Sequence, residues 1–219
     1  IGETCKEKER YINLDKEYEF EILFGLQSDT HDVLGRLSPS DPMLFDERII
    51  EAVLQSLLGD IELPYPHFSS KTVAGKPLHT WAIEGRIDEI SIPTRASHIY
   101  KLELVETRVE TRAAVHRTAA QKVETIPPVT ELKKAIGNDF RREDVRTDWK
   151  HFLTEGVESD LFSIVKIRCI ASSGTYMRSL AHIIGARLDT SALAYAIHRT
   201  KIGRYRNIPF IGGVWTQIY

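Results

Sequence analysis

Only two cysteines, Cys5 and Cys169, occur in the 219 residues. They stand too far apart in sequence to be read as a disulfide framework, and such sparing use fits a reducing, cytoplasmic setting. Eight histidines are present, yet none falls in a Cys-x-x-Cys or His-Glu-x-x-His pattern, so neither a dedicated metal site nor a small-molecule cofactor is expected. No apolar run approaches the roughly 20 residues of a membrane-spanning helix, and the start carries no secretory signal. Internal repeats and low-complexity tracts are also missing. Together these absences exclude a secreted disulfide scaffold, a helical membrane protein and a repeat array.

What is present reads as a globular domain. A 42% hydrophobic content over this length buries a core without staples, and a monomer is expected. The formal net charge is −2, which argues against a polyanionic partner if charge is spread evenly. It is not. Residues 191–219 carry four basic side chains (Arg199, Lys201, Arg204 and Arg206) and no acidic one. Such a local basic patch is an electrostatic footprint for nucleic acid. The first residue is Ile1 rather than Met, and the opening is polar and charged, so a segment upstream is expected to be lacking.

Periodicity outlines the elements. Tyr18, Phe20 and Ile22 alternate with Glu17, Glu19 and Glu21, a half-buried strand over residues 17–25. Residues 27–35 are rich in turn formers. Residues 46–58 have apolar positions at helical spacing, with Asp46 as N-cap and Gly59-Asp60 as the stop. A proline-containing loop follows, then a strand-like stretch over 68–75 and a short helix over 78–84. Residues 97–109 and 161–171 read as strands. Between them, residues 107–160 are charged, hold weak helical patterns, and read as an insertion on the surface or a small lid. Ser172-Ser173-Gly174 is a turn, and Thr175 is placed to cap a helix running to about Arg187, with Met177, Leu180, Ala181 and Ile184 on its apolar face. A last strand surrounds 201–205. The order gives an α/β class of mixed α+β type rather than a strict βαβ repeat.

Certain segments carry more specific information. They are Gly2-Glu3-Thr4-Cys5-Lys6 followed by Asp15-Lys16-Glu17-Tyr18; Gly25-Leu26-Gln27-Ser28-Asp29-Thr30-His31-Asp32 ending at Gly35; Gly59-Asp60-Ile61, Pro66-His67-Phe68-Ser69-Ser70-Lys71 and Gly75-Lys76-Pro77-Leu78; and Gly174-Thr175-Tyr176-Met177-Arg178-Ser179-Leu180 with Ile197-His198-Arg199-Thr200. In their order and spacing over residues 1–106 and 161–205, they resemble the TruB-type tRNA pseudouridine synthase family. The resemblance implies the pseudouridine synthase fold, a mostly antiparallel mixed sheet flanked by helices, with 107–160 as a charged helical insert. It implies tRNA as partner and isomerisation of T-loop uridine 55 to pseudouridine. The base is detached, rotated and rejoined through carbon, after being flipped out of its loop at a cost of a few kcal/mol. No cofactor or metal is required by this chemistry.

Within that resemblance Tyr18 matches the active-site tyrosine, able to stack on uracil and move a proton. Read from periodicity alone it would be a cross-strand core aromatic. Arg178 matches the arginine that keeps the catalytic aspartate ionised and aimed. The plainer reading, a surface arginine, has to explain a cation in the first turn of a helix. Tyr176 is a pocket buttress or an ordinary packed tyrosine, and Ile197 an apolar wall or plain core. Lys6, Lys71, Arg199, Lys201 and Arg204 are candidate phosphate contacts, although a surface cation is most often simply solvated. Asp29 and Asp32 are expected to organise a loop that the family places beside RNA. The family's nucleophile lies in a Gly-x-Leu-Asp-Pro-x-Ala-x-Gly segment preceding Gly-Glu-x-Thr-Lys, and no such segment occurs here. Asp41-Pro42 follows Tyr18 rather than preceding it, and is read as a turn. Two further readings remain: an inactive RNA-binding module gripping T-loop-like RNA, and a domain kept for protein contacts through the charged segment.

Overall fold

The computed structural model describes residues 8–38, 41–127, 141–208 and 212–216. After a short helix α1 (Lys8–Ile12), the chain builds a six-stranded, wholly antiparallel sheet from β1 (Asp15–Phe24), β4 (Gly59–Pro64), β7 (Thr94–Thr111), β8 (Leu161–Ala171), β9 (Ala192–Ile208) and β10 (Gly212–Thr216). The strand order is β10-β9-β1-β8-β7-β4, which puts β1 inside the sheet with β8 on one side and β9 on the other. Two minimal hairpins complete the strands: β2 (Gln27–Ser28) with β3 (Leu37–Ser38), and β5 (Thr72–Val73) with β6 (Lys76–Pro77), which leads straight into the short helix α3 (Leu78–Ile83).

The alternation along β1 sets up both faces of the sheet. Phe20, Ile22 and Phe24 go to one side, where Val165, Ile167 and Cys169 of β8 join them. That face is covered by α2 (Glu47–Gln55), through Ile50 and Leu54, and by α6 (Met177–Arg187), through Leu180, Ala181 and Ile184. On the other side Leu23, Phe162, Ile164, Leu193 and Tyr195 meet Val115, Ala119 and Val123 of α4 (Arg112–Glu124), and Val145, Trp149 and Phe152 of α5 (Arg142–Thr154). The half of this second face not under helices is charged. Glu19 pairs with Lys166 and Arg168, each at 3.0 Å, and Glu21 takes both outer nitrogens of Arg108 at 3.0 Å. Opposite charges in facing strand positions stabilise the pairing.

Several expectations are met. β1 is an alternating strand, and Asp46 caps α2 by accepting from the Arg48 amide at 2.8 Å. Within 107–160 the described helices α4 and α5 meet the expectation of a charged helical segment. These two helices are not a surface insertion or lid, however. β7 runs into the segment as far as Thr111, and α4 and α5 supply half of the second core. Other elements differ. The stretch from Gly59, expected as a helix stop and proline loop, is edge strand β4, and an edge tolerates Pro64 at its end. The stretch 68–75, expected as a strand, is mostly irregular. Its β5–β6 turn has Ala74 and Gly75 at φ 47° and 85°, the double positive-φ geometry that suits a two-residue hairpin loop. β9 begins at Ala192, far earlier than the expected 201–205. Helix α6 begins at Met177, and Thr175 does not cap it. The Thr175 hydroxyl donates to Ser172 O at 2.9 Å and closes the turn instead.

Candidate active site

Tyr18 lies on the first face, opposite Cys169 of β8 and Arg199 of β9. A register irregularity in the β1–β9 pairing falls between Glu17 and Tyr18, and such bulges re-aim side chains. The ring is half-buried against the first core. Burial pushes the phenol pKa up, while the Arg199 guanidinium acts against that shift. Ile197, opposite Phe20 on β9, is 44% exposed, an apolar side chain left open to solvent beside this site.

Two residues before Tyr18, Lys16 is buried. Its ammonium donates to Leu14 O at 2.6 Å, Ile12 O at 3.0 Å and Ser173 Oγ at 3.0 Å. Burial lowers its pKa, and Arg199 and Arg95 add to that by repulsion. Arg95 continues the chain of contacts, donating to Ser173 O at 2.8 Å and to the Tyr65 hydroxyl at 3.4 Å. Tyr65 meets Tyr176 edge to face, with ring centroids 5.5 Å apart. Among the described residues, no carboxylate lies within ion-pair distance of Lys16, Arg95 or Arg199. Asp15 offsets part of the charge on Lys16, and the three cations leave a net positive field, which attracts an anion.

Arg178 is the second residue of α6, where a cation opposes the helix dipole. Three acceptors offset this. Its guanidinium donates to Thr30 O at 3.0 Å and Phe68 O at 3.2 Å, and lies 3.4 Å from Asp32 Oδ2. The other oxygen of Asp32 accepts from the Thr30 hydroxyl at 2.7 Å and the Leu34 amide at 2.9 Å. Asp29 accepts from the Arg36 amide at 2.9 Å and pairs with Arg141. Both aspartates thus organise the 27–38 loop. His31 in the same loop has φ 61°. Its ring packs 4.3 Å from His182 and 6.0 Å from His67, and its buried Nδ1 has no hydrogen-bond partner among the described residues. Burial, then the neighbouring His182, His67 and Arg178, pushes His31 down to about 3.

The structure thus brings Tyr18, Arg199 and Ile197 together on adjacent strands, and ties Arg178 to the loop bearing Asp29 and Asp32. Tyr176 is reached through Tyr65 and Arg95. Lys201 is engaged elsewhere: it lies 3.2 Å from Glu17, whose side chain leaves β1 on the face opposite Tyr18. Lys6 falls outside the described residues. Asp41 is remote from Tyr18. A Cβ on Gly25 would meet the Asp41 carbonyl at 2.6 Å, and Gly25 is about 20 Å of extended strand from Tyr18. Sequence reasoning missed Arg95 and Tyr65, for which no periodicity gives a signal, and quoted Lys16 in a motif without a role.

Residues 1–124 match the TruB family pseudouridylate synthase N-terminal domain. Proteins called tRNA pseudouridine synthase B are similar. That of Caldicellulosiruptor saccharolyticus is 27% identical over 191 residues, covering 81% of this chain and 65% of that protein. That of Caldanaerobacter subterraneus subsp. tengcongensis is 36% identical over 107 residues, 48% of this chain and 37% of that protein. That of Geobacillus kaustophilus is 28% identical over 210 residues, 94% of this chain and 56% of that protein. The chain thus spans less than two thirds of the length of each of these relatives. A Cbf5-Nop10-Gar1 crystal structure aligns with a TM-score of 0.44 and 16% identity, over 89% of this chain and 32% of that one. With its matched segment covering more than half of the sequence, the chain belongs to the TruB family of pseudouridylate synthases.

Proposed function

We propose that the chain takes part in converting uridine to pseudouridine in tRNA, at T-loop uridine 55, and forms the part of the site that holds the ejected base. The observation that carries this reading is the arrangement around Tyr18: a half-buried phenol faced by Arg199, within a group of cations that have no carboxylate at ion-pair distance among the described residues. A polyanion is attracted there, and an extruded uracil finds an aromatic face. The reaction breaks the N1–C1′ glycosidic bond, turns the base, forms C5–C1′, releases the C5 proton and leaves N1 carrying a proton in its place. Tyr18 stacks on the base and serves that proton transfer. Arg178 steadies the attacking carboxylate, and Ile197 walls the base. Arg199 contacts phosphate. The nucleophilic aspartate comes from polypeptide outside these 219 residues.

Tritium release from tRNA carrying 5-tritiated uridine tests this. The chain alone releases none, and release appears when a polypeptide bearing the Leu-Asp-Pro segment is added. Release by the bare chain would show that an internal carboxylate attacks and would overturn the assignment. If the bare chain binds tRNA and no supplied segment restores release, the inactive RNA-binding reading replaces it.

A further inference from the structure

Next to the candidate base site stands a tyrosine that the reaction does not use. Tyr65 follows β4, between Pro64 and Pro66. Proline after it excludes the helical region, and proline before it stiffens the approach, so the ring is held out by a rigid peptide. Two cations flank it. The Arg95 guanidinium donates to its hydroxyl at 3.4 Å, and Lys71 Nζ, on an exposed residue, is 5.4 Å from its ring centroid. Neither cation has a carboxylate within ion-pair distance among the described residues. Arg95 Nε is buried with no hydrogen-bond partner among the described residues. The guanidinium lies flat on the 172–175 turn, and Gly174 makes this possible: a Cβ there would strike Arg95 at 2.4 Å. The same turn is held from the other side by Lys16, through Ser173 Oγ at 3.0 Å, so it links this cluster to the strand bearing Tyr18.

A ring face beside two uncompensated cations suits a nucleotide, with the base on the ring and the phosphate on the cations. We infer that Tyr65, Arg95 and Lys71 form a second nucleotide subsite, which takes an unpaired nucleotide of the same RNA whose uridine is held at Tyr18. This rests on the proposed function. Lys71, over the ring in the free protein, moves to the phosphate as the base stacks.

The test is fluorescence anisotropy with the full chain, using a labelled T-arm stem-loop RNA and a fully paired duplex of equal length, with each variant's thermal melt compared first. Tyr65→Leu weakens stem-loop binding by roughly 5- to 150-fold, the worth of one stacked base, and leaves duplex binding unchanged. Tyr65→Trp restores the affinity. Lys71→Gln, on an exposed side chain, lowers the slope of log affinity against log salt by about 0.7 to 0.9. Stem-loop binding unchanged in Tyr65→Leu, failure of Tyr65→Trp to restore it, or an unchanged slope in Lys71→Gln overturns the subsite while leaving the reading of Tyr18 intact. Absence of stem-loop binding by the unaltered chain overturns both.

Discussion

The guanidinium of Arg178, on the first turn of α6, lies 3.4 Å from the carboxylate of Asp32 in the 27–38 loop. The pair joins two segments that are 146 positions apart, and the same guanidinium holds the Phe68 carbonyl as well. Arg178 is therefore a three-way junction.

Replacing that fork with a single ammonium should loosen the junction. Arg178→Lys keeps the charge but cannot reach Thr30 O, Phe68 O and Asp32 together. A loss of about 1–3 kcal/mol is expected in urea denaturation, since hydrogen bonds to charged groups are forfeited. An unchanged urea midpoint would mean that the observed contacts contribute nothing.

Acid should destabilise the fold through His31. Its pKa in the folded chain is about 3, against about 6.5 when unfolded. The unfolded state binds the extra proton throughout this window, so the stability is complete above about pH 6.5 and is lost as pH falls toward 3. At pH 4.5 the loss from this residue is about 2–3 kcal/mol. His182, also lowered by burial, acts in the same direction. His31→Asn tolerates the positive φ and should flatten the curve of melting temperature against pH between 4.5 and 7. A slope unchanged by the substitution assigns the acid sensitivity elsewhere.

The Tyr18 phenol should respond to Arg199. Burial raises its pKa and the guanidinium works against burial, so Arg199→Gln should move the ionisation to still higher pH. Ultraviolet difference titration of this variant, with Tyr18→Phe to identify the signal, reads the change. An unchanged titration would show that Arg199 does not face the hydroxyl.

The helical pair α4–α5 should behave as core. Trp149 is 1% exposed and donates its indole N–H to Val33 O at 3.0 Å. Trp149→Ala should cost about 3–5 kcal/mol. Val157→Ala, at a residue 63% exposed, should stay within about 0.5 kcal/mol. Equal effects in chemical denaturation would return this segment to the status of a surface insertion.

How far the sequence was readable depended on local pattern. The glutamate–aromatic alternation of β1 and the Asp46 cap express contacts within a few residues, and both are found. α4 escaped as core because Val115, Ala119 and Val123 form a thin stripe on a polar helix, and its first residue, Arg112, is a buried cation held by Asp160 at 2.8 Å. β4 escaped because its ends, Gly59 and Pro64, are turn residues. What makes it a strand is β7, more than 30 positions downstream. At the site, Tyr18 and Arg178 came from motif matching. Tyr65 and Arg95 meet only once β4, β7 and the 172–175 turn are assembled, so no linear pattern announces them.

β1 is a single inextensible rod with a different job at each end: Leu23 is locked under α4 and α5, while Tyr18 looks out on the opposite side. Sliding it by one step would throw every glutamate into oil and every aromatic into water. Damage to the distant helices therefore has no soft route by which to nudge the phenol. Lesions there should lower the fraction of native molecules while leaving the ionisation of Tyr18 in those that remain folded unchanged.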